Sequence, residues 1–154
     1  MWTLRPATPT DRPFLLQLRL TVMVPHCEAS GLYLSQEEQQ RRVDYRYDCA
    51  QVIEYQGQPA GLLKLVQHPD HWELLQLQLA PLCQGQGIGR QILQQLQQQA
   101  QLAGLPIRLS VLKKNPARHL YERLGWQGYG EDEHEYWLNW SSPAAPDHAR
   151  HQQD

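Results

Sequence analysis

The sequence predicts one domain of the α/β (α+β) class, with six to seven strands and about four helices. Three observations predict it. Apolar residues recur at helical spacing within 14–22 and 88–103, but alternate with polar ones in 72–79. Turn residues at 56–59 and 68–70 separate three consecutive apolar runs, the pattern of antiparallel hairpins. Later strand-like runs, at 107–111, 126–130 and 136–140, are interleaved with helical ones.

Taken in order, residues 2–4 form a short strand. Thr10 or Asp11 then caps a helix that carries Pro13 in its first turn and Phe14, Leu15, Leu18 and Val22 on one face. Residues 25–34 contain Gly and Pro without clear periodicity and read as a loop. Ser35 with Glu38 is a capping-box pair that opens a polar helix reaching about Tyr47. Residues 52–55 and 60–66 pair across the Gln56-Gly57-Gln58-Pro59 turn, and 72–79 follow as a half-buried strand stopped by Pro81.

Ile88, Ile92, Leu93, Leu96, Ala100 and Ala103 mark the buried face of the next helix, whose glutamines crowd its solvated side and which Gly104 ends. A β-branched strand follows at 107–111. Asn115-Pro116 starts a helix with Ala117, Leu120, Tyr121 and Leu124 on one side, closed by Gly125. Residues 126–130 and 136–140 read as a final hairpin. Pattern is lost from Ser141 to Asp154, which reads as a disordered tail outside a domain of residues 1–140.

Composition narrows the function classes. A chain of 154 residues suits one domain, and a formal charge of −2 offers no basic field for nucleic acid. Cys27, Cys49 and Cys83 are an odd, widely spaced set without a metal-ligand pattern, so reduced thiols in the cytoplasm and no metal are expected. The N-terminus lacks a secretion-signal layout, and no apolar run approaches the roughly 20 residues that span a bilayer, so no membrane association is expected.

Between a strand and a helix lies Gln84-Gly85-Gln86-Gly87-Ile88-Gly89. Backbone N–H groups at such a helix start converge with the positive end of the helix dipole, and glycines admit a phosphate to them. Arg90-Gln91 follows where a P-loop needs Lys-Ser/Thr, and the strand at 107–111 lacks the carboxylate of a dinucleotide fingerprint. A tight turn without a ligand is the plain alternative.

A second segment, Asn115-x-Ala117 through Tyr121 to Gly125-Trp126, lies about 30 residues downstream. With Gln84, Gly87 and Gly89, this ordered pair of motifs resembles the GNAT superfamily of N-acetyltransferases. The opening Leu4-Arg5-Pro6-Ala7-Thr8 with Asp11 agrees, while Trp126 stands where Phe is commoner and Leu79 where Val is frequent. The resemblance implies the fold of that family, a mixed, mostly antiparallel central sheet of six to seven strands splayed after the fourth strand and flanked by about four helices, with acetyl-CoA as co-substrate in the gap. It implies that the loop from Gln84 to Arg90 (Gln84, Gly85, Gln86, Gly87, Ile88, Gly89 and Arg90) binds the pyrophosphate, that backbone groups of Leu77 and Leu79 pair with the pantetheine, and that Asn115 contacts the coenzyme.

The implied reaction is direct attack of a primary amine, from a small molecule or peptide, on the thioester in a ternary complex. The Leu79 N–H then stabilises the oxyanion, Tyr121 is the acid for the departing thiolate, and Glu73 is the candidate base; Glu28 and His134 are lesser ones. Each has a plain alternative: Tyr121 as a core residue on its helix stripe, Glu73 as a solvated strand-end charge, and the other histidines as surface residues. The acceptor pocket is assigned to residues 25–47 and the last hairpin, where Glu28, Glu131, Asp132 and Glu133 either favour a cationic acceptor or form a solvated turn. The alternative function is a non-catalytic acyl-CoA sensor of the same fold. A homodimer is left open.

Overall fold

In a computed structural model that describes residues 1–143, seven strands form one sheet in the order β1-β2-β3-β4-β5-β7-β6. The strands are β1 (Trp2–Pro6), β2 (Ala50–Tyr55), β3 (Gln58–Gln67), β4 (Trp72–Leu79), β5 (Ile107–Leu112), β6 (Gln127–Glu131) and β7 (Glu135–Trp140). Every neighbouring pair is antiparallel except β4 with β5. The helices are α1 (Arg12–Val22), α2 (Val24–Ala29), α3 (Gln36–Asp44), α4 (Ile88–Ala103) and α5 (Ala117–Arg123). The tail expected from Ser141 lies, beyond residue 143, outside the described residues.

The sheet separates two apolar layers. On one face α4 buries Ile88, Ile92, Leu93, Leu96 and Ala100 against β3, β4, β5 and β7. Burying each large aliphatic side chain stabilises by about 1.5–3 kcal/mol, so Leu93→Ala costs roughly 2–5 kcal/mol and breaks this layer first. On the other face Leu15 and Leu18 of α1 and Val43 of α3 pack with Ala50 and Leu62.

Three local readings are corrected. Residues 25–29, the first part of the segment read as loop, belong to α2: Pro25 sits in its first turn, where a missing N–H costs nothing, and six residues are too few to display a period. Asp11 does not cap α1 through its side chain. Its buried carboxylate instead accepts from Arg5 Nη1 at 2.8 Å, Arg5 Nη2 at 2.9 Å and the Thr8 N–H at 2.7 Å. The guanidinium holds that carboxyl well below the usual range. The helix opened by the Ser35–Glu38 capping box ends at Asp44 rather than Tyr47, and a separate 3-10 turn covers Tyr47–Cys49.

Two irregularities position the site. Lys64 faces Gln76 but Leu65 faces Leu74, so Leu75 is an extra residue in β4, a bulge. A bulge resets the period-2 alternation. Trp72 and Leu74 therefore share the α4 face with Leu77 and Leu79, while Gln76 and Gln78 turn toward α1. The second irregularity is the splay: β4 and β5 pair only through Trp72–Ile107 and Glu73–Arg108, then diverge.

Candidate active site

Beyond Glu73 the edge of β4 has no strand partner, and the ladder on its other side determines which groups it presents there. Directly opposed residues of an antiparallel pair alternate between those that exchange hydrogen bonds and those that do not. The Ala80 N–H donates to the Ala60 carbonyl at 2.7 Å, and Leu79 faces Gly61. Gln76 and Gln78 therefore bond toward β3, and the N–H and C=O of Leu77 and Leu79 point into the gap. In keeping with this, the Leu79 carbonyl accepts from Gln84 Nε2 at 2.9 Å.

A cleft of about 530 Å³ opens along this gap, bounded by Leu77 and Leu79, by the glycine loop, and by Asn115 and Tyr121. Gly85 and Gly87 have φ of 76° and 81°, a left-handed conformation that β-carbons resist, and Gly87 is the residue that enters α4. No side chain caps that helix, and Gln91 is its first residue whose N–H reaches back to Gly87. The N–H groups of Ile88, Gly89 and Arg90 are thus left for a ligand. Gln86 turns away from the cleft: Tyr55 donates to its side-chain oxygen at 2.8 Å, and its Nε2 donates to the Leu82 carbonyl at 2.8 Å. Arg90 and Arg123 line the cleft, and neither forms an ion pair with a described residue.

The far wall is built by the start of α5. Asn115 Oδ1 accepts from the Ala117 N–H at 2.9 Å, which caps the helix and leaves its amide nitrogen for other contacts. Further along the helix Tyr121 points inward, 8% exposed, its ring 5.5 Å from that of Trp126. Burial pushes the phenol up to about 12, so it is protonated at neutral pH. Its hydroxyl makes no hydrogen bond with a described residue.

On the α1 side of the sheet lies a smaller cavity of about 100 Å³, lined by Arg19, Arg42, Gln76, Gln78, Ser110 and Glu135. It lies beside the larger cleft, and Tyr121, Gln78, Leu77, Met23 and Asn115 line both. Tyr121 therefore stands between an apolar-walled cleft and a charged pocket.

The sequence matches the acetyltransferase (GNAT) family over residues 15–126. The chain belongs to the GNAT acetyltransferase family. Comparison with curated proteins finds no match. Among solved structures, the chain is similar to the PaiA N-acetyltransferase of Thermoplasma acidophilum in complex with coenzyme A, with 17% identity and a TM-score of 0.72 over 92% of this chain and 99% of that one. An acetyltransferase from Thermus thermophilus gives 22% identity and a TM-score of 0.72 over 92% and 97%. N-acetylglutamate synthase from Neisseria gonorrhoeae, complexed with coenzyme A and N-acetyl-glutamate, gives 18% identity and a TM-score of 0.65 over 92% of this chain and 35% of that one.

Within this GNAT chain, the structure brings together Leu77, Leu79, Gln84, Gly85, Gly87, Ile88, Gly89, Arg90, Asn115 and Tyr121 around one cleft. It does not bring the sequence-chosen base candidates there. Glu73 lies at the closed end of the splay, lines neither cavity, and pairs with His68 Nε2 at 3.1 Å. Glu28 is exposed, and His134 Nδ1 lies 2.9 Å from the Ser30 carbonyl.

Five charged or titratable residues were given no site role from the sequence: Arg123 and His26 line the large cleft, and Arg19, Arg42 and Glu135 the small one. Glu135 ends the run Glu131-Asp132-Glu133-His134, whose first three members form the solvated turn. There Glu131 pairs with Lys113, and Asp132 accepts from the N–H groups of His134 and Glu135. Alternation offered the missing signal: Leu138 and Trp140 face the core, so Glu135 must face α1.

Proposed function

We propose that this acetyltransferase moves an acetyl group from acetyl-CoA to a primary amine of a small molecule or peptide, by direct attack in a ternary complex. The observation that carries the reading is the position of Tyr121, between a cleft with unpaired backbone donors and a polar pocket. The coenzyme A in the Thermoplasma neighbour of like fold supports the assignment of the cleft to that co-substrate.

In this reading the Ile88, Gly89 and Arg90 amides hold the pyrophosphate, with Arg90 and Arg123 adding charge. Leu77 and Leu79 offer backbone groups to the pantetheine as a neighbouring strand would. The amine nitrogen attacks the thioester carbonyl. A C–N bond forms, the C–S bond breaks, and the products are an N-acetyl amine and the free thiol. The Leu79 N–H faces the oxygen as it becomes negative. Tyr121, protonated throughout the neutral range, donates to the departing sulfur. The carboxylate that lines the polar pocket is Glu135, raised above the usual range by burial, and it replaces Glu73 as the proposed acceptor of the amine proton. Three unpaired thiols agree with a reducing, cytoplasmic setting.

The test is a melt with and without millimolar acetyl-CoA, followed by thiol release with a broad amine panel. A raised melting temperature and amine-dependent thiol release are expected. A thermal shift without release for any amine would leave a coenzyme-binding sensor instead.

A further inference from the structure

The polar pocket carries more chemistry than a generic amine site needs. Arg19 is 3% exposed, yet no carboxylate of a described residue lies within ion-pair distance of it; its Nε donates to Gln39 Oε1 at 2.5 Å, and its two terminal nitrogens make no hydrogen bond with a described residue. A buried guanidinium without a counter-charge is costly, and burial indeed lowers the pKa of Arg19. Gln78, also 3% exposed, has both side-chain amide atoms buried without partners, and Gln76 has an unpartnered Oε1. Arg42, exposed at the pocket wall, forms no ion pair with a described residue either. Against these two cations the lining supplies one carboxylate, Glu135.

We infer that the acceptor is a small amine that also bears a carboxylate, an α-amino acid rather than a diamine or a peptide N-terminus, with Arg19 and Arg42 binding the carboxylate and Glu135 facing the amine. The guanidinium fork matches a carboxylate with two parallel hydrogen bonds, and the unpaired Gln78 Nε2 can add a third; the unpaired Oε1 atoms of Gln76 and Gln78 can only accept, which suits the ammonium end of the ligand. A diamine would add positive charge to a pocket that already holds an excess of it. A pocket of about 100 Å³ suits a ligand of a few heavy atoms, with the amine directed to Tyr121, which lines both cavities. The inference rests on the acetyl-transfer reading.

The experiment is thiol release at saturating acetyl-CoA with free L-amino acids, their methyl esters and amides, and linear diamines. At least one free amino acid is expected to exceed its own methyl ester by about 100-fold or more in kcat/KM, as a site built for a buried charged group rejects an analogue lacking it. Arg42→Met, at an exposed position, is expected to raise the KM of that amino acid by roughly 10-fold or more with the KM of acetyl-CoA unchanged. Arg19→Lys, which keeps the charge but loses the fork, is expected to do the same. Equal or better turnover of esters, amides or diamines overturns the inference while leaving acetyl transfer in place. Absence of release with every amine overturns acetyl transfer itself.

Discussion

Gln84 Nε2 donates to the carbonyl of Leu79 at 2.9 Å, tying the first residue of the glycine loop to the last residue of β4. The bond occupies the Leu79 carbonyl and leaves the Leu79 N–H facing the gap. It also ties the loop amides to the strand edge, the two elements proposed to hold the coenzyme.

Gln84→Leu keeps the side chain's size and removes the bond. Because Gln84 is exposed, stability is expected to change by less than about 1 kcal/mol, while the KM for acetyl-CoA rises roughly 3- to 10-fold. Steady-state kinetics beside a denaturant melt separate the two effects, and an unchanged KM removes the tether from the account.

Gly87 enters α4 at φ 81°, with open space where a side chain would project. Gly87→Ala therefore costs about 1 kcal/mol through backbone strain rather than through a clash. Gly87→Glu adds a negative charge beside the Ile88–Arg90 amides and is expected to abolish the thermal shift given by acetyl-CoA. Equal shifts for the two variants would show that the phosphate lies elsewhere.

Lys64 is buried in the sheet, and its Nζ donates to the carbonyls of Arg42, Val43 and Tyr45 at 3.2, 3.0 and 2.6 Å, closing the C-terminus of α3. Burial, with Arg19 nearby, lowers its pKa to about 8 from 10.5. Between those values the unfolded chain binds more protons than the folded one, so this residue makes stability rise with pH across that window, and its full penalty applies below about pH 8. Lys64→Met removes that contribution. Melts from about pH 7 to 10 should show wild type gaining on the variant by on the order of 2 kcal/mol, and parallel profiles would refute the assignment.

Most strands and the two coenzyme motifs were legible because each depends on local chemistry. Alternation marks β4, glycines at positive φ mark the entry to α4, and Asn115-Pro116 marks the start of α5. What was hidden depends on pairing. The Leu75 bulge exists only relative to β3, and it decides that Gln76 and Gln78 face the polar pocket. Glu135 sits in an acidic run whose other members are solvated, so its inward direction shows only once β7 is known to begin at Glu135 and its alternation with Leu138 and Trp140 is followed back. Arg19 falls in the last turns of an amphipathic helix, where its charge reads as a surface feature until α3 covers it.

Tyr121, between the two cavities, is the centre of the account, and Tyr121→Phe tests it most directly. Thiol release at saturating acetyl-CoA and amine should fall about 10- to 1000-fold, as expected for loss of one proton donor, while the Kd for acetyl-CoA stays within about twofold of wild type. Wild-type turnover should show no alkaline decline from this group below roughly pH 11, given a phenol pushed up to about 12. Undiminished turnover in the phenylalanine variant would contradict the account.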